Sequence, residues 1–99
     1  MGRYSLTDAA KSDVREISSY IQDRNPSAAR KVRQDLQAAM RRLADFPGMG
    51  HARPDLGDDD VRVWAVYSYL IVYRADPTPL QVLRVVHGAR DLREILRSR

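Results

Sequence analysis

The sequence predicts an α+β domain, in which an N-terminal strand and an antiparallel helical hairpin pack on an antiparallel β-sheet in the order β-α-α-β-β-β, with a short C-terminal helix. Three observations carry that prediction. Apolar residues recur at three- and four-residue intervals from Ala10 to Leu43, the period of helices that bury one face. From Val61 the chain switches to β-branched and aromatic residues, VRVWAVYSYLIVYRADPTPLQVLRVVHG, broken only by short polar turns. Between these regimes, FPGMG and the Gly-, Pro- and Asp-rich stretch after it stop the helical pattern. At 99 residues the chain is one domain, residues 1–99, near the small end of what folds alone, so a partner can supply part of its stability.

RYSLT, residues 3–7, reads as a short strand, and Thr7 or Asp8 can accept hydrogen bonds from the first N–H groups of a following helix. In that helix Ala10, Val14, Ile17 and Ile21 form one apolar stripe, with Lys11, Asp13, Arg15 and Glu16 on the other faces. DRNPS ends it and starts the next helix, Asn25 serving as N-cap and Pro26 as a first-turn residue. The second helix repeats the stripe with Ala29, Val32, Leu36, Ala39 or Met40, and Leu43. A loop follows from Gly48 to Asp60, in which Asp58, Asp59 and Asp60 read as a solvated turn. The three strands after it are joined too tightly for crossovers and must be antiparallel neighbours. Gly88 ends the last strand by adopting a backbone angle that other residues avoid, and Asp91 to Leu96 form the final helix.

Composition narrows the chemistry. Hydrophobic residues at 43% and charged residues at 30% fit a soluble globular protein, without an apolar run long enough for a bilayer or a secretory signal, so the expected location is the cytoplasm. No cysteine is present, which excludes disulfides, thiolate nucleophiles and cysteine-ligated zinc, and two distant histidines leave no metal site and no cofactor expected. The net charge of +4 suits an anionic partner without specifying one. Two lysines, Lys11 and Lys31, stand beside fifteen arginines, and arginine holds anions but does not act as a base.

The order of elements, together with LTDAAKSDVREISSYI, FPGMGHARPDL, YLIVYR and LRVVHGARDL, resembles the RelE/ParE superfamily of type II toxin–antitoxin toxins over nearly the whole chain. The ending VVHGARDL is more similar to the ParE-like branch than to the RelE-like one. That resemblance implies inhibition of DNA gyrase by direct binding and neutralisation by a ParD-like antitoxin. The alternatives are a RelE-like ribosome-dependent mRNA endonuclease and a toxin-fold protein that has lost toxicity. Direct nucleic-acid binding and membrane association are not expected.

Metal-free RNA cleavage needs proton-transfer groups and cations around the phosphorane. Arg84 and His87 are the pair such a nuclease would use. No tyrosine, lysine or histidine follows His87, a departure from RelE-like nucleases that favours a non-enzymatic reading. A strictly alternating last strand also puts Val82, Arg84 and Val86 on one face and Leu83, Val85 and His87 on the other, which separates the pair. Arg84, His87, Arg90, Asp91 and Leu92 are therefore assigned to target contact, and Ile17, Ile21, Leu36, Leu43, Arg53, Arg62 and Arg74 to antitoxin contact. Each assignment has a plainer counterpart: core packing for the aliphatic stripe, apolar coverage by arginine stems, and backbone bonding for a strand-end histidine. Trp64, Tyr69 and Tyr73 are expected to pack on the sheet.

Overall fold

Thr7 turns the chain's first corner. In the computed structural model, which describes residues 3–57 and 59–88 together with Leu92 and Leu96, β1 (Tyr4–Leu6) ends just before it and α1 (Asp8–Gln22) begins just after. The Thr7 hydroxyl oxygen accepts the Ala10 N–H at 3.0 Å, capping the helix, while its proton goes to the Leu83 carbonyl at 2.7 Å. Three residues later than Gln22, Asn25 caps α2 (Pro26–Asp45) by accepting the Ala28 N–H at 3.1 Å, with Pro26 in the first turn where its missing donor costs nothing. Both predicted caps are thus in place, and the tight link makes the hairpin antiparallel. The Arg33 guanidinium donates to Ser18 Oγ at 2.9 Å across it.

The stretch expected to be an irregular loop is more ordered than its composition suggested. Two 3₁₀ turns, Pro47–Met49 and Pro54–Leu56, flank a two-residue strand β2 (His51–Ala52), which pairs antiparallel with β3 (Val61–Val66). β4 (Tyr69–Arg74) and β5 (Leu80–His87) complete an antiparallel meander as the short links required. The sheet order is β1-β5-β4-β3-β2, and β1 runs parallel to β5, so the sheet is mixed rather than wholly antiparallel. Parallel pairing is available there because the hairpin and three strands lie between β1 and β5 in sequence. Of the helix expected at residues 91–96, all but Leu92 and Leu96 falls outside the described residues.

Two apolar layers sandwich the sheet. On the helical side Ala10, Leu36, Met40, Leu43, Ile71, Tyr73, Leu80, Val82 and Val85 form the main core. On the other side Leu56, Val61, Val63, Val72, Leu83, Val86 and Leu92 form a second one, flanked by Leu70 and Leu96. Each fully buried aliphatic side chain contributes about 1.5–3 kcal/mol.

Tyr73 joins the main core to the FPGMG turn. Its hydroxyl accepts the Gly50 N–H at 3.0 Å and donates to the Pro47 carbonyl at 2.7 Å, so one side chain satisfies a backbone donor and a backbone acceptor of the turn. Gly50 is required by that approach: a Cβ there would sit 2.5 Å from Tyr73 Oη and 2.8 Å from the Val63 carbonyl oxygen. Burial holds the Tyr73 phenol above its usual range. Two results should follow in chemical denaturation. Gly50→Ala should lose about 1–3 kcal/mol through overpacking against rigid backbone. Above pH of about 10 the unfolded chain releases the Tyr73 proton before the folded one does, so stability should fall with rising pH there, and Tyr73→Phe should flatten that alkaline limb.

Candidate functional site

β5 is eight residues long and β1 only three, so the edge of β5 beyond Val82 has no neighbouring strand on that side. Groups from the start of α1 take the strand's place. Thr7 N–H donates to the Val82 carbonyl at 3.1 Å, Thr7 Oγ1 to that of Leu83, and Asp13 Oδ2 accepts the Val85 N–H at 2.9 Å. The same carboxylate receives the Arg84 guanidinium in a bidentate pair, Nε to Oδ2 at 2.7 Å and Nη2 to Oδ1 at 2.9 Å. Asp13 is 8% exposed, and its hydrogen bonds hold Arg84 above the usual arginine range. Asp13 lies off the apolar stripe in the sequence, yet it is the buried anchor of α1 on the sheet.

The strict alternation expected along β5 does not hold. Val72 pairs with Arg84 but Tyr73 with Val82, so a bulge adds one residue to β5 at Leu83. Val82 and Val85 consequently lie in the helical-side core, and Leu83 and Val86 in the opposite one. The Arg84 guanidinium is committed to Asp13. His87 is exposed at the strand end and meets Tyr69 edge to face, with ring centroids 6.0 Å apart. Gly88 shows no left-handed φ, contrary to expectation; its N–H donates to the Ser68 carbonyl at 2.7 Å, and a Cβ would approach that oxygen to 3.3 Å.

Around His87 opens a groove of about 580 Å³, walled by Glu16, Ile17 and Tyr20 of α1 and by Ser68, Tyr69 and His87 at the strand ends. Its rim is aromatic, Tyr20 being 60% exposed with the Arg24 guanidinium carbon 3.9 Å above its ring centroid. The adjacent hairpin tip is shaped by Tyr67, which takes a φ of +55° and donates its hydroxyl proton to Asp35 of α2. That bond lowers the Asp35 pKa and raises that of Tyr67.

The other predicted residues gather elsewhere. Arg53 binds Asp55 through two bonds of 2.9 Å, which raise its pKa, Arg62 donates to the Gly50 carbonyl at 2.8 Å, and Arg74 reaches the buried Asp60 carboxylate at 3.2 Å. All three hold the segment between Gly48 and Asp60, at the end of β4 opposite Tyr69 and His87. Leu36 and Leu43 are core residues with at most 1% exposure, so they offer no surface to a partner, whereas Ile17 and Ile21 remain partly exposed. Leu92 is buried in the second core rather than displayed. Arg90 and Asp91 lie outside the described residues. No group of three or more His, Asp or Glu among the described residues is placed to hold a metal ion, and no described helix is long and apolar enough to cross a membrane.

A family model described as the ParE toxin of the type II toxin-antitoxin system parDE matches residues 4–92. The chain belongs to the ParE toxin family. Toxin ParE1 of Caulobacter vibrioides is 30% identical over 94 residues, covering 94% of this chain and 96% of the relative. The solved chromosomal ParDE toxin–antitoxin system from P. aeruginosa aligns with a TM-score of 0.71 at 22% identity, over 88% of this chain and 96% of that one, a likeness of fold.

In this ParE-family chain the sequence placed Tyr73 in the packing but missed its hydroxyl bonds to the FPGMG turn, and it missed Asp13. An arginine inside the apolar run LQVLRVV was the available signal for Asp13, since a charge on a buried strand needs a counter-charge. Asp13→Ala should lose about 3 kcal/mol in urea denaturation, the low end for breaking a buried pair, because Arg84 keeps 17% of its side-chain exposure. Asp13→Leu combined with Arg84→Met should recover much of that loss, the Val85 N–H remaining unpaired.

Proposed function

We propose that this protein is the toxin of a type II toxin–antitoxin module, that it inhibits DNA gyrase by direct binding, and that a ParD-like antitoxin neutralises it in the cytoplasm. Membership of the ParE family supports the toxin role. The observation that favours binding over RNA cleavage is the pairing of Arg84 with Asp13. A ribonuclease site would need a cation turned toward the scissile phosphate beside His87. Here the guanidinium is held by two short bonds to a buried carboxylate and does not line the groove.

The end of the sheet bearing His87, with Arg90 and Asp91 following in the chain, is the proposed target surface. Ile17 and Ile21 on the partly exposed side of α1, and the arginines Arg53, Arg62 and Arg74, remain the proposed contacts for the antitoxin. An acidic and apolar antitoxin segment that folds as it binds would suit both.

A supercoiling assay with relaxed plasmid, purified gyrase and the purified protein tests the reading. Supercoiling should be lost, and adding the antitoxin should restore it. Arg90→Ala and Asp91→Ala should weaken inhibition about tenfold with an unchanged melting temperature, whereas Lys11→Ala, on an exposed position of α1, should leave it intact. Intact supercoiling alongside ribosome-dependent mRNA cleavage that disappears in His87→Ala would overturn the gyrase reading in favour of the nuclease.

A further inference from the structure

We propose that the solvent face of the helical hairpin binds the phosphate backbone of duplex DNA. The inference holds whether or not the target is gyrase. Net charge alone does not select nucleic acid; the arrangement of the arginines does. The bond from Arg33 to Ser18 fixes the register of the hairpin, setting position 18 of α1 beside position 33 of α2. Steps of three and four residues from that contact put Arg15 on the Ser18 side of α1, and Arg30, Gln37 and Arg41 on the Arg33 side of α2. Arg15, Arg30 and Arg41 are exposed, with no side-chain hydrogen bond or ion pair among the described residues, and Arg33 uses one of its five N–H donors on Ser18.

The carboxylates of the two helices sort the other way. Asp13 and Glu16 turn toward β5, Asp35 bonds Lys31 and Tyr67 on the far flank of α2, and Asp8, Asp23 and Asp45 sit at helix ends. Asp45 lies one turn beyond Arg41, but positions three and four removed from Arg15, Arg30 and Arg33 hold no carboxylate, so three arginines share this face without an anion. Ser18, Ser19, Gln22 and Gln37 stand among them. Arginine, serine and glutamine are the donors that phosphate and sugar oxygens take. A protein partner would call for an apolar centre, and the exposed aromatic residues lie elsewhere: Tyr20 in the groove beside β5, Phe46 past the end of α2, Tyr67 at the β3–β4 turn. Shape favours the B form. Packed helix axes run about 8–10 Å apart, so the two rows reach phosphates on either side of a minor groove roughly 6 Å wide, which the wide minor groove of A-form RNA does not match.

The test is fluorescence anisotropy of a labelled DNA duplex titrated with the whole protein, without gyrase, at a series of salt concentrations. Binding should have a Kd of about 1–100 µM near physiological salt, and its logarithm should change with log salt at a slope of about 3–4, the value for four phosphate contacts. Arg15→Gln combined with Arg30→Gln should lower that slope by about 2 and weaken binding about tenfold. Both side chains are exposed and unbonded, so the melting temperature of the double variant should not move. Arg53→Gln, which removes a charge at the far end of the sheet, should leave the slope as it was. Unlabelled DNA duplex should displace the probe at lower concentration than duplex RNA or polyglutamate of equal charge. No anisotropy change up to about 500 µM protein at low salt would overturn the proposal, as would an unchanged slope in the double variant, or RNA or polyglutamate competing as well as DNA.

Discussion

One carboxylate decides how the two halves of this fold meet. β1 is too short to cover β5, and a strand edge left bare inside a core would strand its donors and acceptors. Asp13 resolves this by accepting from the Val85 backbone while neutralising Arg84, and Thr7 resolves the preceding step. Both residues belong to the start of α1, so capping the helix, extending the sheet edge and docking the hairpin are one event. The placement of Glu16, Ile17 and Tyr20 against Tyr69 and His87 follows from it, since they continue the same helix past the same strand.

The opposite end of β4 is organised by cations rather than by an anion. Arg53, Arg62 and Arg74 are each bonded to a carboxylate or carbonyl of the segment between Gly48 and Asp60, and Tyr73 fastens its start from inside the core. Part of the chain's basic excess is thereby spent on holding a turn-rich segment in place. Exposed pairs such as Arg53–Asp55 contribute only about 0–1 kcal/mol, whereas Arg74 on the buried Asp60 removes a charge that would otherwise be costly. The two poles are separated by the length of β4, roughly 17 Å for five residue steps. Contacts made at one pole need not disturb the other.

Much of the fold was legible because it rests on local rules. The caps at Thr7 and Asn25, the proline at position 26 and the antiparallel meander follow from residue type and link length alone. The parallel pairing of β1 and the burial of Asp13 join residues more than seventy positions apart, which no local pattern encodes, and the bulge at Leu83 is a register shift between neighbouring strands that residue type does not mark. The assigned residues divided along the same line. Period alone marks Leu36 and Leu43 as apolar but does not distinguish a core face from a docking face, and their burial settles which they are. Arg84 reads from the sequence as a nuclease or target-contact cation, yet the charge that explains it sits in a helix.

Leu92 couples the proposed target segment to stability. It seals the second core against Val61, Val63, Val72, Leu83 and Val86, and Leu96 packs beside it, so the sheet face away from the hairpin depends on residues just beyond Arg90 and Asp91. Truncating a buried leucine removes about 2–5 kcal/mol, a large part of what a domain of this size possesses. A loss of function on changing Leu92 would therefore report unfolding before it reported a lost contact. Only neighbours whose replacement leaves the melting temperature unchanged can map the surface that meets a target. The same coupling gives an economical physical basis for control by a partner: a segment that stabilises the folded state through its apolar side chains can present its polar ones only while that second core is intact.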